Sequence, residues 1–127
     1  MNIIKILGYL VAFSFASASP IAYAADNVAD IKVAIDQTVA KVEEAVAALE
    51  KGEDSKKVAE MIVEARQLQK GISTSDSKVS MKRSQSNHKL VQARTSINDG
   101  DLKTGGELLK EALAGYKEVK EKFNSTH

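Results

Sequence analysis

Five carboxylates crowd two glycines in this chain. Glu50, Glu53 and Asp54 flank Gly52, and Asp99 and Asp101 flank Gly100. Carboxylate oxygens gathered in one place hold hard cations such as Ca²⁺ or Mg²⁺. Placed singly at the start of a helix, they accept its free N–H groups and complement its macrodipole. Capping is the expected use of Asp54 and Asp101, and a shared cation is the alternative use of the whole cluster. Neither glycine loop has the ligand spacing of an EF-hand.

Two further carboxylate pairs, Glu60/Glu64 and Glu107/Glu111, have a four-residue spacing that puts both members on one helix face. Di-metal bundles combine such glutamates with a Glu-x-x-His pattern, which this chain lacks. Lys56 and Lys103 stand four residues ahead of Glu60 and Glu107. An exposed face of weak ion pairs is therefore expected.

Imidazole, the usual ligand for Cu, Ni and Zn, is available only at His88 and His127. Helical spacing turns His88 largely to solvent. Ser125 and the histidines lack an orienting acid at useful spacing, so no hydrolase set forms and no enzyme is expected. Met61 and Met81 are possible haem ligands, but Met61 falls on an apolar stripe where methionine is ordinary filler. With no cysteine, thiolate metal sites, disulfides and thioether-linked haem are excluded.

The elements that carry these residues are written twice. Val42–Ala65 and Leu90–Ala112 align when Gly52 is set on Gly100. Val42 then meets Leu90, Ala45 meets Ala93 and Leu49 meets Ile97. After a one-residue gap, Glu60, Glu64 and Ala65 meet Glu107, Glu111 and Ala112. A repeat across a glycine hinge between two apolar-periodic stretches is a duplicated helical hairpin.

The spacing predicts a first helix over 27–51, capped by Asp26 or Asn27, with Val28, Ile31, Ile35, Val39, Val42, Ala45 or Val46, and Leu49 on one stripe. A second runs over 55–70 and stops at Gly71. The polar stretch 72–77 links it to a third over 78–98, whose apolar face also carries Arg83 and Ser86. A fourth is expected to start from a Thr104–Glu107 capping box and end near Phe123. Its stripe includes Leu102, Leu109, Leu113, Tyr116 and Val119, and Gly115 within it suggests a close helix crossing. The expected fold is all-α: an antiparallel up-down-up-down four-helix bundle of two repeated hairpins. That topology puts both glycine hinges at one end and predicts that the five carboxylates come together there.

Glu43-Glu44-Ala45-Val46-Ala47 leading to Gly52, followed by Glu60 and Glu64, resembles the small metal-binding protein family. Leu90, Ala93, Gly100, Glu107 and Glu111 repeat the match, which covers roughly 39–120. Members are short exported proteins of helical-hairpin repeats rich in histidine. The resemblance implies an exported bundle that binds divalent ions. Where the family carries histidine near the hinges, this chain has Ala48, Glu53, Met61, Ser96 and Asp101. The implied binding is therefore weak, to Cu, Ni, Zn or Ca, with Glu50, Glu53, Asp54, Asp99, Asp101 and His88 as candidate ligands.

Residues 1–24 read as a signal peptide. Lys5 supplies the early positive charge, Ile6 to Ala18 the apolar stretch, and Ala22-Tyr23-Ala24 a small-x-small cleavage site. The apolar stretch is short for a stable membrane span. A periplasmic domain of 25–127 is expected. Once Lys5 is removed, the basic residues equal the 17 acidic ones, so nucleic acid is not an expected partner. The third helix is locally basic, with Lys78, Lys82, Arg83, Lys89 and Arg94. A neighbouring helix is expected to balance it, and the alternatives are an anionic lipid surface or an acidic partner protein. A non-enzymatic interaction or stress-response bundle without metal is the second functional expectation.

Overall fold

The computed structural model describes residues 27–127. The proposed signal peptide and its cleavage site lie outside the described residues. Four helices follow in order: α1 Val28–Glu50, α2 Ser55–Gln69, α3 Ser77–Asn98 and α4 Leu102–Thr126. Each packs on its chain neighbours, and α4 closes the ring against α1. This is the expected all-α four-helix bundle.

The hinges repeat in detail. Gly52 and Gly100 have φ of 77° and 88°, the left-handed region that glycine enters without a steric penalty. At the first hinge the Glu53 N–H donates to Ala48 and the Gly52 N–H to Leu49. At the second, the Asp101 N–H donates to Ser96 and the Gly100 N–H to Ile97. Both are Schellman closures, which satisfy carbonyls left over at a helix end. The second hinge reaches its cap one residue sooner, and this is the gap in the sequence alignment.

The caps are side-chain carboxylates or amides throughout. Asn27 accepts from Asp30, Asp54 from Lys56, and Asp76 from both Lys78 and Val79. At the fourth cap the sequence offers both Asp101 and the Thr104–Glu107 box, and the structure uses the first. Asp101, not Thr104, caps α4, accepting from the Thr104 N–H at 3.1 Å. A carboxylate is the stronger acceptor and complements the dipole, so the helix begins two residues before the expected box.

The core is built from Ile31, Ile35, Val42, Val58, Ile62, Leu90, Ile97, Leu109, Tyr116, Val119 and Phe123, with alanines between them. Val39, Val46, Leu49 and Leu113 lie at its edge, while Leu102 is 46% exposed and leaves the expected stripe. The α3–α4 pair packs most closely, as Gly115 suggested. A β-carbon at Gly115 would overlap the Ser86 hydroxyl, and its distance to the Ser86 β-carbon would be 3.1 Å. Ser86 and Thr38 occupy equivalent places in the repeat. Both are buried, and both donate to the carbonyl four residues earlier, Lys82 and Ala34 respectively.

With 15 residues, α2 is the shortest helix. It falls roughly 10 Å short of α3 at 1.5 Å per residue. The link to α3 makes up the difference and is not wholly polar: Ile72 inserts into the core with 1% exposure. Gly71 lies against Ala34, where an added β-carbon would sit 3.0 Å from the Ala34 methyl. Its role is close approach rather than a left-handed stop.

Candidate functional site

The hinge carboxylates do not converge. Asp54 and Asp101 turn back onto their own helix starts. Glu50 reaches Lys110 on α4 at 3.1 Å. Glu53 and Asp99 are exposed, Glu53 just after Gly52 and Asp99 as the C-terminal cap of α3. Among the described residues, no three His, Asp or Glu side chains are grouped so that they could hold a metal ion. The expected five-carboxylate cluster is therefore corrected: capping draws off Asp54 and Asp101, and an ion pair draws off Glu50. The Thr104 N–H holds the Asp101 carboxyl below the usual carboxylate range.

His88 is exposed on α3, as helical spacing predicted. His127 ends α4, stacked on Phe123 with ring centroids 4.2 Å apart, and its Nδ1 lies 3.1 Å from the Phe123 carbonyl. Met61 packs against the core edge, whereas Met81 is 61% exposed.

Of the repeated glutamates, the second of each pair finds a partner on a neighbouring helix, while Glu60 and Glu107 make no ion pair with Lys56, Lys103 or any other described residue. Glu64 pairs with Lys41 at 3.3 Å and Glu111 with Lys89 at 2.8 Å. Under the repeat alignment these two ion pairs are equivalent. Burial alone would lower the Lys41 pKa, but Glu44 and Glu64 overcome it and raise the value above that of an ordinary lysine.

Charge is thus matched across three of the four helix seams. Lys41–Glu64 ties α1 to α2. Lys82–Glu118 and Lys89–Glu111 tie α3 to α4. Lys110–Glu50, Lys117–Glu43 and Lys120–Asp36 tie α4 to α1. The expectation that a neighbouring helix balances α3 holds for Lys82 and Lys89. It fails at the α2–α3 seam, where no ion pair forms among the described residues.

That seam carries two half-buried arginines facing amides. Arg66 Nε donates to Asn87 Oδ1 at 3.2 Å, and Arg83 Nη1 donates to Gln69 Oε1 at 3.1 Å. Gln69 itself is 4% exposed. Tyr116 is fully buried, and among the described residues its hydroxyl and the Arg83 Nε have no hydrogen-bond partner. Burial pushes the Tyr116 hydroxyl far above the usual tyrosine range, against the opposing pull of Arg83 and Arg66, so it remains a neutral donor.

The repeat shows how this layer arises. Arg83 aligns with Ile35 of the first hairpin, and Tyr116 aligns with Gln69. One hairpin thus contributes Ile35 and Gln69 to the layer and the other Arg83 and Tyr116. Arg83 was legible in the sequence as a charge on an apolar face. Gln69, Arg66 and Asn87 were not singled out, although extending the repeat alignment beyond Ala65 would have reached Gln69.

No helix among the described residues is long and apolar enough to cross a membrane. Compared with known proteins, the chain matches no family model, no curated protein and no solved structure.

Proposed function

We propose that this chain is a non-catalytic, exported binding bundle that docks an acidic segment of another protein on the face formed by α2 and α3. Export rests on the leader pattern of residues 1–24. The observation that carries the docking face is the α2–α3 seam, where Arg66 and Arg83 face neutral amides while the other seams are closed by ion pairs. Helix α3 bears five cations and no carboxylate, and its exposed Lys78 and Arg94 make no ion pair among the described residues. Unmatched positive charge on one face attracts an acidic partner and speeds its approach.

A photo-crosslinker placed at exposed Ser84 of the intact exported protein tests this reading. The expected result is one captured chain whose crosslinked segment is rich in Asp and Glu. Capture should weaken with added salt and with Lys78→Glu together with Arg94→Glu. Recovery of the monomer alone would sink the reading.

The divalent-metal reading implied by the resemblance rests on single carboxylates and His88, not on a gathered ligand set. Calorimetry of the tag-free protein with Cu²⁺, Ni²⁺, Zn²⁺ and Ca²⁺ is expected to give affinities of about millimolar or weaker, worth ~4 kcal/mol. A micromolar site would restore the metal reading.

A further inference from the structure

The α2–α3 seam holds more than excess charge. Arg83 stands in the layer where the first hairpin places a buried isoleucine, Ile35. A guanidinium so close to the core is costly unless an anion or a full set of acceptors meets it. The seam supplies amide oxygens from Gln69 and Asn87, which orient the two guanidinium groups without neutralising them. Among the described residues, the Arg83 Nε and the Tyr116 hydroxyl are left with no partner.

The two cross-seam bonds lie on successive rungs. Arg66 and Gln69 are three residues apart on α2, and Arg83 and Asn87 are four apart on α3. Such spacing separates side chains by about 5–6 Å along each helix. Arg66 and Arg83 thus enter the seam from opposite helices on adjacent rungs, and neither has a carboxylate partner among the described residues, so an anion lying along the seam would meet both. Guanidinium groups meet a carboxylate through paired N–H donors, a geometry that lysine does not reproduce.

We propose that Arg66 and Arg83 form a two-guanidinium clamp for a side-chain carboxylate on an acidic peptide segment. Gln69 and Asn87 hold the guanidinium groups in register. The clamp rests on the docking face inferred above and names the residues within it that read the partner. Lys78, Lys82, Lys89 and Arg94 lie outside the clamp and add only attraction at a distance.

The probe is a hexaglutamate peptide, with hexaglutamine as the neutral control, added to the purified exported protein at low ionic strength. Arginine Nε–H signals are followed by NMR. The Arg66 and Arg83 signals are expected to move saturably with hexaglutamate and to stay fixed with hexaglutamine. Arg66→Gln and Arg83→Ile should each weaken binding by about tenfold or more, as loss of a charge-assisted pair does, while Lys78→Gln changes it by less than about threefold. Because Ile35 is the counterpart of Arg83, Arg83→Ile should melt at or above the wild-type temperature. If it does not fold, Arg66→Gln carries the test.

Hexaglutamate binding that is unchanged in both variants, with shifts spread over the lysines of α3, overturns the clamp and leaves the docking face standing. Absence of hexaglutamate binding by wild type also overturns the clamp, and the docking face is then judged by crosslinking alone.

Discussion

Tyr116 and Gly115 are adjacent and stabilise the bundle in opposite senses. Tyr116 fills the core with a ring but leaves its hydroxyl unpaired among the described residues. Removing a buried donor that has no partner costs little, so Tyr116→Phe is expected to keep or raise stability at neutral pH by up to about 1 kcal/mol. Its pKa is raised in the folded state, which favours the neutral form there. The contribution is therefore fully present below the unfolded tyrosine value of about 10 and is lost as pH rises toward the folded value. Urea melts between neutral pH and pH 11 should show the wild type losing stability faster than Tyr116→Phe above that point. Parallel curves would mean that the hydroxyl reaches water. Gly115 acts through space alone. Gly115→Ala gains ~1 kcal/mol of helix propensity, but the new methyl meets Ser86 on α3. Overpacking of this kind costs about 1–3 kcal/mol, so a net loss in denaturant midpoint is expected. Gly106→Ala meets only the flexible end of Leu49 at 3.3 Å and should be neutral or stabilising.

At the scale of helices and hinges, the caps decide where each element begins. Asp76 takes two N–H groups at the start of α3, which has little apolar amphipathy of its own. Asp76→Ala should cost about 1 kcal/mol and fray the first turn, seen as faster amide exchange at Lys78 and Val79. Helix α4 offers a different outcome. With Asp101→Ala, the Thr104–Glu107 box becomes the next available cap, and the helix start should move from Leu102 toward Gly105, read from backbone chemical shifts. The same cap carries a pH dependence. The Asp101 carboxyl titrates below its unfolded value of about 3.9, so its support is present above that value and fades as pH falls through the folded one. The melting temperature of Asp101→Ala should therefore fall less steeply in acid than that of the wild type. These starts were partly legible. Asp54 and Asn27 could be read as caps from their residue type and position. At α4 two cap patterns overlapped, and the sequence alone gave no relative strength for an aspartate at 101 against a threonine at 104.

At the scale of the whole molecule, exposed ion pairs bind three seams of the bundle, and the fourth is left to amides. Each exposed pair is worth about 0.2–1 kcal/mol and is screened by salt. Raising NaCl from low concentration to 1 M should therefore change unfolding stability only modestly, by roughly 2 kcal/mol or less. A larger loss would show that the α1–α4 ladder of Lys110, Lys117 and Lys120 acts as a network. The number of helices, their hinges and most of the core were determined by the sequence itself. Apolar spacing of three and four residues forces those side chains to one face, and glycine followed by an acidic residue ends one helix and starts the next. What only the tertiary structure decided was the fate of charge. Of the five hinge carboxylates, Asp54 and Asp101 went to separate caps and Glu50 to a lysine, because each had a nearer donor than a shared cation, while Glu53 and Asp99 stayed exposed. Arg66 and Arg83, 17 positions apart, came onto one seam with Gln69 and Tyr116, because packing two copies of a hairpin brings equivalent positions into one layer. Local pattern sets which faces are buried, but the partner of a buried charge depends on which residue another helix places opposite it.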